Sequence, residues 1–67
     1  MSKAKTIGAI FKEARLKKGL TQVEVAEKAG IHWNTVAKVE REEQKPEYLT
    51  IKRIAKVLGI DISTLPD

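Results

Sequence analysis

The sequence contains no cysteine and a single histidine, so it excludes a disulfide framework, a thiolate metal site and a histidine cluster. Its apolar runs are far shorter than the ~20 residues that a membrane helix needs, and none has the length of a signal-peptide core. We therefore expect a cytoplasmic protein with no membrane segment.

Catalytic side chains are also scarce. The chain has two serines, Ser2 and Ser63, one histidine, His32, and no cluster of carboxylates in a glycine-rich setting. These residues do not supply a nucleophile, a base and an orienting group in any recognisable pattern. We expect neither catalysis nor a cofactor.

The residues that are present suffice for one small domain. Sixty-seven residues, of which 42% are hydrophobic, allow a single modest core. Apolar residues recur at helical spacing and no segment alternates as a strand does, so the pattern predicts an all-α fold.

Positive charge is concentrated near the N-terminus. Residues 1–18 hold six basic residues and one acidic residue, whereas residues 21–47 hold four basic and six acidic ones. The net charge of +4 suits a polyanionic partner, although many basic domains bind no nucleic acid.

The segment over residues 21–41 is typical of two short helices joined by a tight turn. Thr21 and Glu24 form a capping-box pattern, in which each side chain accepts a hydrogen bond from the other residue's backbone N–H. Gly30 is placed to end the first helix, because glycine enters the left-handed region without a steric cost. The small Ala26 allows the two helices to cross closely. We predict helices over residues 22–29 and 33–40.

Helices are also predicted on both sides of this segment. Thr6 can cap a first helix over residues 7–17, and Gly19 follows it. Pro46 closes a polar loop before a fourth helix over residues 47–58. In that helix the residues expected to be buried are Leu49, Ile51, Ile54, Ala55 and Leu58.

The C-terminal end carries one more short element. Gly59 ends the fourth helix, and Asp61 can cap a last turn that extends to Leu65. Pro66 prevents that turn from continuing.

Together these features resemble the helix-turn-helix of the lambda-repressor/Cro-type (XRE) DNA-binding domains. The resemblance covers roughly residues 7–65 and includes the lead-in over residues 18–22 and the fourth helix with its exit. The matching residues of the motif are Gln22, Val25, Ala26, Ala29, Gly30, Ile31, Val36, Val39 and Glu40.

This resemblance implies a compact four- to five-helix lambda-repressor-like domain over residues 7–67, preceded by a basic N-terminal arm over residues 1–6. It implies a sequence-specific regulator of double-stranded DNA, of prokaryotic or phage type and located at the nucleoid. Such a regulator is a repressor whose third helix enters the major groove of a near-palindromic operator. It also implies a homodimer on DNA. Few apolar residues follow Gly59, so we expect a weak dimer or a monomer when the protein is free.

Three residues of the third helix are predicted to read bases. Asn34 and Lys38 lie one turn apart, and their donors and acceptors suit adenine for the first and guanine or phosphate for the second. Trp33 can contact a thymine methyl group or the sugar–phosphate chain. The alternatives are a solvated polar face for Asn34 and Lys38, and packing against the domain itself for Trp33.

Other residues are predicted to contact the DNA backbone. Gln22 begins the second helix, whose free N–H groups and dipole favour a phosphate. His32 is either a backbone contact or an imperfect cap of the third helix. Lys28, Lys52, Arg53 and Lys56 are assigned to solvent. The predicted backbone contacts are Gln22, His32, Thr35, Gln44 and Lys45, together with the basic arm.

Two further positions follow from the resemblance. Arg15 alone would read as a phosphate contact, but the family pairs an arginine of the first helix with a glutamate at the end of the third, here Glu40. We therefore assign Arg15 and Glu40 to a structural ion pair. Glu42 departs from the family, which usually has a left-handed glycine there, so a steric cost and a negative charge near DNA are expected.

A second class of function remains open. The excess of acidic residues over residues 21–47 also suits a protein-interaction module, an antitoxin or anti-repressor that uses the same fold to bind a partner protein.

Overall fold

A computed structural model describes residues 6–43 and 46–66 of the chain, which form four α-helices and one 3₁₀ turn. No strand occurs in these two ranges, and the predicted all-α fold class is confirmed. The helices are α1 (Ile7–Lys17), α2 (Gln22–Ala29), α3 (Trp33–Arg41) and α4 (Tyr48–Leu58), and the 3₁₀ turn spans Ile62–Thr64.

The first two helices begin and end where their local signals predict. The Thr6 hydroxyl accepts a hydrogen bond from the Ala9 N–H at 3.2 Å and so caps α1. The Thr21 hydroxyl accepts from the Glu24 N–H at 3.0 Å, while the Glu24 carboxylate accepts from the Thr21 N–H at 2.8 Å. Gly30 ends α2 in the left-handed conformation with φ 71°. The predicted capping box and the bounds of both helices are confirmed.

The other two helices differ from the prediction by one residue each. α3 continues to Arg41 because Glu42 takes the left-handed conformation and donates its N–H to the Lys38 and Val39 carbonyls. α4 begins at Tyr48, since Glu47 has extended backbone angles and serves as the N-cap without a side-chain hydrogen bond.

One core lies between the four helices. Phe11 of α1, Val25 of α2, Val36 of α3 and Ile54 of α4 are the largest fully buried side chains. Ala26 is buried as well, in keeping with the close contact between α2 and α3. The hydrophobic residues of the core are Phe11, Val25, Ala26, Ala29, Val36, Ala37, Val39, Ile54, Ala55 and Leu58.

The predicted burial of Leu49 is wrong. Leu49 keeps 54% of its surface exposed, whereas Ile54, Ala55 and Leu58 are buried as predicted and Ile51 is half-buried. Leu49 precedes Ile54 by five residues, which rotates it about 140° around the helix. It therefore lies on the side of α4 that faces away from the buried residues.

A glycine inside α1 brings this helix against the end of α3. Gly8 is buried, and a Cβ built on it would lie 2.4 Å from the Val39 carbonyl oxygen and 2.9 Å from that of Glu40. Both neighbours are backbone atoms, which cannot turn away as a side chain can. Only a residue without a side chain fits this contact between α1 and α3.

Glu42 adds a polar contact at the same place. Its φ of 61° confirms the left-handed conformation, and its carboxylate accepts a hydrogen bond from the Thr6 hydroxyl at the start of α1. The negative charge therefore lies beside the N-terminus of α1, where the helix dipole is favourable to an anion. The family's usual glycine would avoid the steric cost of the left-handed backbone at this position, but it would also lose the hydrogen bond from Thr6.

Replacing Glu42 with glycine is expected to leave the free energy of unfolding unchanged or to raise it by about 1 kcal/mol. The relief of the left-handed cost is about 1–2 kcal/mol, and the lost contact with Thr6 offsets part of it because this hydrogen bond is exposed. Chemical denaturation measures the change. Glu42→Ala is the matched control, since it removes the carboxylate but keeps the strain, and it should destabilise. Equal destabilisation by both variants would contradict this account.

Candidate nucleic-acid interface

α3 has an inward face and an outward face. Val36, Ala37 and Val39 are buried, which fixes the helix against the core. Asn34 and Lys38 lie one helical turn apart, and both are half-buried without belonging to the core. The two residues predicted to read adenine and guanine therefore share one side of α3.

His32 is the N-cap of α3. Its Nδ1 accepts a hydrogen bond from the Asn34 N–H at 3.0 Å, and its backbone is extended with φ −72° and ψ 141°. Because Nδ1 is the acceptor, the ring proton of the neutral imidazole lies on Nε2. The cap is thus made by a ring nitrogen in place of a hydroxyl. The Nε2–H group is the donor that remains for the predicted phosphate contact.

Trp33 lies at the leading end of α3 and outside the hydrophobic core. Half of its surface is exposed, and its ring stacks on that of His32 with 5.8 Å between centroids and 29° between planes. The side chain is therefore partly covered by its own neighbour and partly open to solvent.

A buried polar cluster fixes the last turn of α3 to the two preceding helices. Arg15 donates from Nε to Glu40 Oε2 at 2.7 Å and from Nη2 to Glu40 Oε1 at 2.9 Å, which makes a bidentate ion pair. The Arg15 and Glu40 side chains are only 10% and 4% exposed. The hydrogen bond to Glu40 raises the pKa of Arg15 above its ordinary value, although burial acts in the opposite direction.

Arg15 and Gln22 extend this cluster. Arg15 Nη1 donates to the Leu20 carbonyl at 2.9 Å, and Gln22 Nε2 donates to Glu40 Oε1 at 3.2 Å. No feature of the sequence predicted this contact of Gln22 with Glu40. One amide hydrogen of Gln22 is occupied by Glu40, and the second is the one available for the predicted phosphate contact.

The two acidic residues that follow α3 each contact a neighbouring side chain. Glu42 contacts Thr6, and Glu43 forms an ion pair with Arg41, whose Nε lies 3.1 Å from Glu43 Oε2. The Arg41–Glu43 pair is exposed and is worth little in stability, but the basic partner compensates the charge of Glu43. The predicted contacts of Gln44, Lys45 and residues 1–5 lie outside the described residues.

Two other kinds of site are not found in the described parts of the chain. No group of three or more histidine, aspartate or glutamate side chains is placed there to hold a metal ion. None of the four helices has the length and apolar character needed to cross a membrane.

Comparison with known proteins identifies the family. The sequence pattern of the helix-turn-helix family matches residues 11–65. The immunity repressor protein of Bacillus phage phi105 is 37% identical over 60 residues, which cover 90% of this chain and 42% of that protein. The chain thus spans less than half the length of this relative.

Solved structures agree with this assignment. The structure of SinR, the master regulator for biofilm formation of Bacillus subtilis, in complex with DNA has a TM-score of 0.84. The SinR chain is 33% identical in sequence, and the match covers 92% of this chain and 100% of the SinR chain. The P22 c2 repressor in complex with a synthetic operator shares the fold, with a TM-score of 0.80 and 19% sequence identity. That match covers 87% of this chain and 88% of the P22 c2 chain.

The fold and the pattern over residues 11–65 therefore lead to one conclusion. The chain belongs to the lambda-repressor-like (XRE) family of helix-turn-helix domains, which are DNA-binding transcriptional regulators and not enzymes.

Proposed function

We propose that this domain recognises a specific operator as a transcriptional repressor, with α3 in the major groove of a near-palindromic site. The observation that supports this proposal is the construction of α3. Its inward residues and Glu40 are fixed by the core and by Arg15, while Asn34 and Lys38 share another side of the helix and are only half-buried. The likeness to a phage immunity repressor and to a SinR–DNA complex agrees with this role.

The residues have separate roles in this proposal. Trp33, Asn34 and Lys38 contact base edges, and phosphates are contacted by the amide of Gln22, the Nε2–H of His32 and the hydroxyl of Thr35. Gln44, Lys45 and the basic arm add phosphate contacts. Affinity should accordingly fall steeply as salt rises, because bound counterions are released.

Replacing Asn34 with alanine should weaken the best operator by roughly 1–3 kcal/mol and leave random DNA nearly unaffected, because a bidentate contact to a base distinguishes sequences. Lys45→Ala is the matched variant for the backbone. It should weaken the binding of operator and random DNA alike. It should also reduce the slope of log affinity against log salt concentration by about one. Binding titrations with both DNAs at several salt concentrations measure these effects on an operator first selected from a random pool.

The contrast between the two variants decides the proposal. A parallel loss on both DNAs in Asn34→Ala would show that α3 does not read sequence. If no sequence is enriched from the pool and neither variant changes DNA binding, the domain binds a partner protein in place of an operator.

Two copies are proposed to bind one operator, with pairing completed on DNA. The apolar residues after Gly59 are Ile60, Ile62 and Leu65, and all three pack against the domain's own core. Little of their surface is left for an interface of about 800 Å² per partner. Sedimentation of this chain at micromolar concentration should show a monomer or a weak dimer. A tight nanomolar dimer without DNA would contradict this expectation.

A further inference from the structure

The stacked rings of His32 and Trp33 form an aromatic pair at the leading end of α3. Trp33 is the only tryptophan of the chain, yet it keeps 50% of its surface exposed. The inward positions nearby are already filled, because Val36 and Val39 are buried and Ile31 packs against the core. The indole therefore contributes little to the core and presents an apolar surface to the outside.

Two contacts restrain this surface. The His32 ring is fixed at one edge by the hydrogen bond from the Asn34 N–H to Nδ1, and the indole stacks on that ring at 5.8 Å. The aromatic pair is thus fixed to the backbone of Asn34, the residue proposed to contact adenine. A fixed apolar group beside a hydrogen-bonding group can distinguish bases, whereas a freely rotating one adapts to any neighbour.

The major groove offers one apolar feature at a base edge. Every other recognition point there is a hydrogen-bond donor or acceptor, and the exception is the C5-methyl group of thymine. The indole ring offers one donor, Nε1–H, and no acceptor, so most of its exposed surface matches a methyl group and not a polar edge. The aromatic pair and the thymine methyl group are therefore complementary.

We propose that Trp33 contacts a thymine methyl group next to the base read by Asn34, and that His32 is the positioning residue that holds the indole for this contact. This proposal rests on the proposed function, since it requires α3 to lie in the major groove. It goes further in choosing the thymine methyl group over the sugar–phosphate chain as the contact of Trp33, and in naming His32 as the residue that orients the indole.

Deoxyuridine tests the contact, because it differs from thymidine only in lacking the methyl group. Each thymine of the selected operator is replaced singly by deoxyuridine, and binding is measured for the wild-type chain and for Trp33→Ala. For the wild type we expect one or two positions per half-site at which affinity falls about fourfold, the factor expected for a buried group of methyl size. Trp33→Ala should bind the thymine operator more weakly and show no loss at the same positions.

Two variants of His32 separate the cap from the stack. His32→Ser supplies a capping hydroxyl but no ring, so it should keep the denaturation midpoint and reduce the deoxyuridine penalty to less than twofold. His32→Phe supplies a ring that is not bonded to the Asn34 N–H, so it should lower the midpoint and show a penalty between those of His32→Ser and the wild type. The fluorescence of the single tryptophan should change in His32→Ser, because the stacked ring is lost.

Three results would overturn the proposal. Equal penalties in the wild type and in Trp33→Ala would mean that another residue contacts the methyl group. No penalty at any thymine, with Trp33→Ala weakening operator and random DNA alike, would place the indole on the sugar–phosphate chain. If His32→Ser showed the full loss of affinity on deoxyuridine substitution, His32 would serve only as the N-cap of α3 and would not orient the indole.

Asn34→Ala distinguishes these failures from a failure of the proposed function. If Asn34→Ala selectively weakens the operator while the deoxyuridine results are negative, α3 reads sequence but the aromatic pair does not read a methyl group. If Asn34→Ala also has no selective effect, sequence reading by α3 itself is wrong, and the methyl contact falls with it.

Discussion

Replacing Arg15 with methionine is expected to lower the free energy of unfolding by about 3 kcal/mol, because it leaves the Glu40 carboxylate buried and without its cationic partner. Glu40 would lose both guanidinium hydrogen bonds, and within residues 6–43 and 46–66 its carboxylate would keep only the one from Gln22. The Leu20 carbonyl would lose its hydrogen bond from Arg15 as well. The core of a domain of this size supplies only about 3–5 kcal/mol in total, so the variant should keep at most about 2 kcal/mol and be partly unfolded without denaturant. Chemical denaturation measures the difference.

A double-mutant cycle provides the control. Glu40→Gln alone should also destabilise, since it leaves a buried guanidinium without its anionic partner. Arg15→Met combined with Glu40→Gln should destabilise by clearly less than the two separate losses added together. Arg15→Lys keeps the charge but cannot form the bidentate pair, so it should lie between the wild type and Arg15→Met. A midpoint that hardly moves in Arg15→Met would contradict the importance of the pair.

The second large effect is expected at Gly8. Gly8→Ala should raise the intrinsic preference for helix by up to about 1 kcal/mol but reduce the stability of the fold by 2 kcal/mol or more. The new Cβ would lie 2.4 Å from the Val39 carbonyl oxygen, so α1 and α3 would have to move apart. That movement would disturb the contact between Thr6 and Glu42. Thermal and chemical denaturation should both show the loss.

Gly19→Ala is the matched control for this prediction. Gly19 has a φ of 69° and no atom within 4 Å of a built Cβ, so alanine there meets backbone strain without a clash. The cost should be about 1 kcal/mol, smaller than at Gly8. If the two alanine variants are equally stable, the close approach of α1 and α3 is not limiting.

The elements that the sequence predicted well are those whose signals are local. Each of these signals acts within a few residues of the chain. The caps at Thr6 and at Thr21 with Glu24, and the helix end at Gly30, are all observed where the residue types predict them. Helical periodicity also predicted the burial of Ile54, Ala55 and Leu58 in α4. Leu49 was expected to be buried because it is apolar, although a count of 100° per residue places it on the opposite side of α4 from these three residues.

The polar contacts between helices were harder to predict. Gln22 and Glu40 are 18 residues apart and Thr6 and Glu42 are 36 apart, so no spacing rule connects them. The assignment of Arg15 to Glu40 came from resemblance to a family and not from the residues alone.

Two residues carried signals that were weak or unused. His32 is not a usual capping residue, since it lacks a side-chain oxygen, but its ring nitrogen serves the same purpose. Gly8 stands inside an otherwise strong helix, where glycine is unfavourable unless another backbone approaches closely. That signal could have predicted the contact between α1 and α3.

The anchoring of Glu40 has a consequence for how this domain can diverge. Because the last turn of α3 is bound to α1 through Arg15 and to α2 through Gln22, the helix is held against rotation about its own axis. A new binding preference must then arise from exchanging outward side chains on an unmoved helix. Asn34 and Lys38 are not among the buried residues of the domain, so we expect such exchanges to cost little stability. One scaffold can thereby give rise to many regulators that do not bind one another's DNA sites.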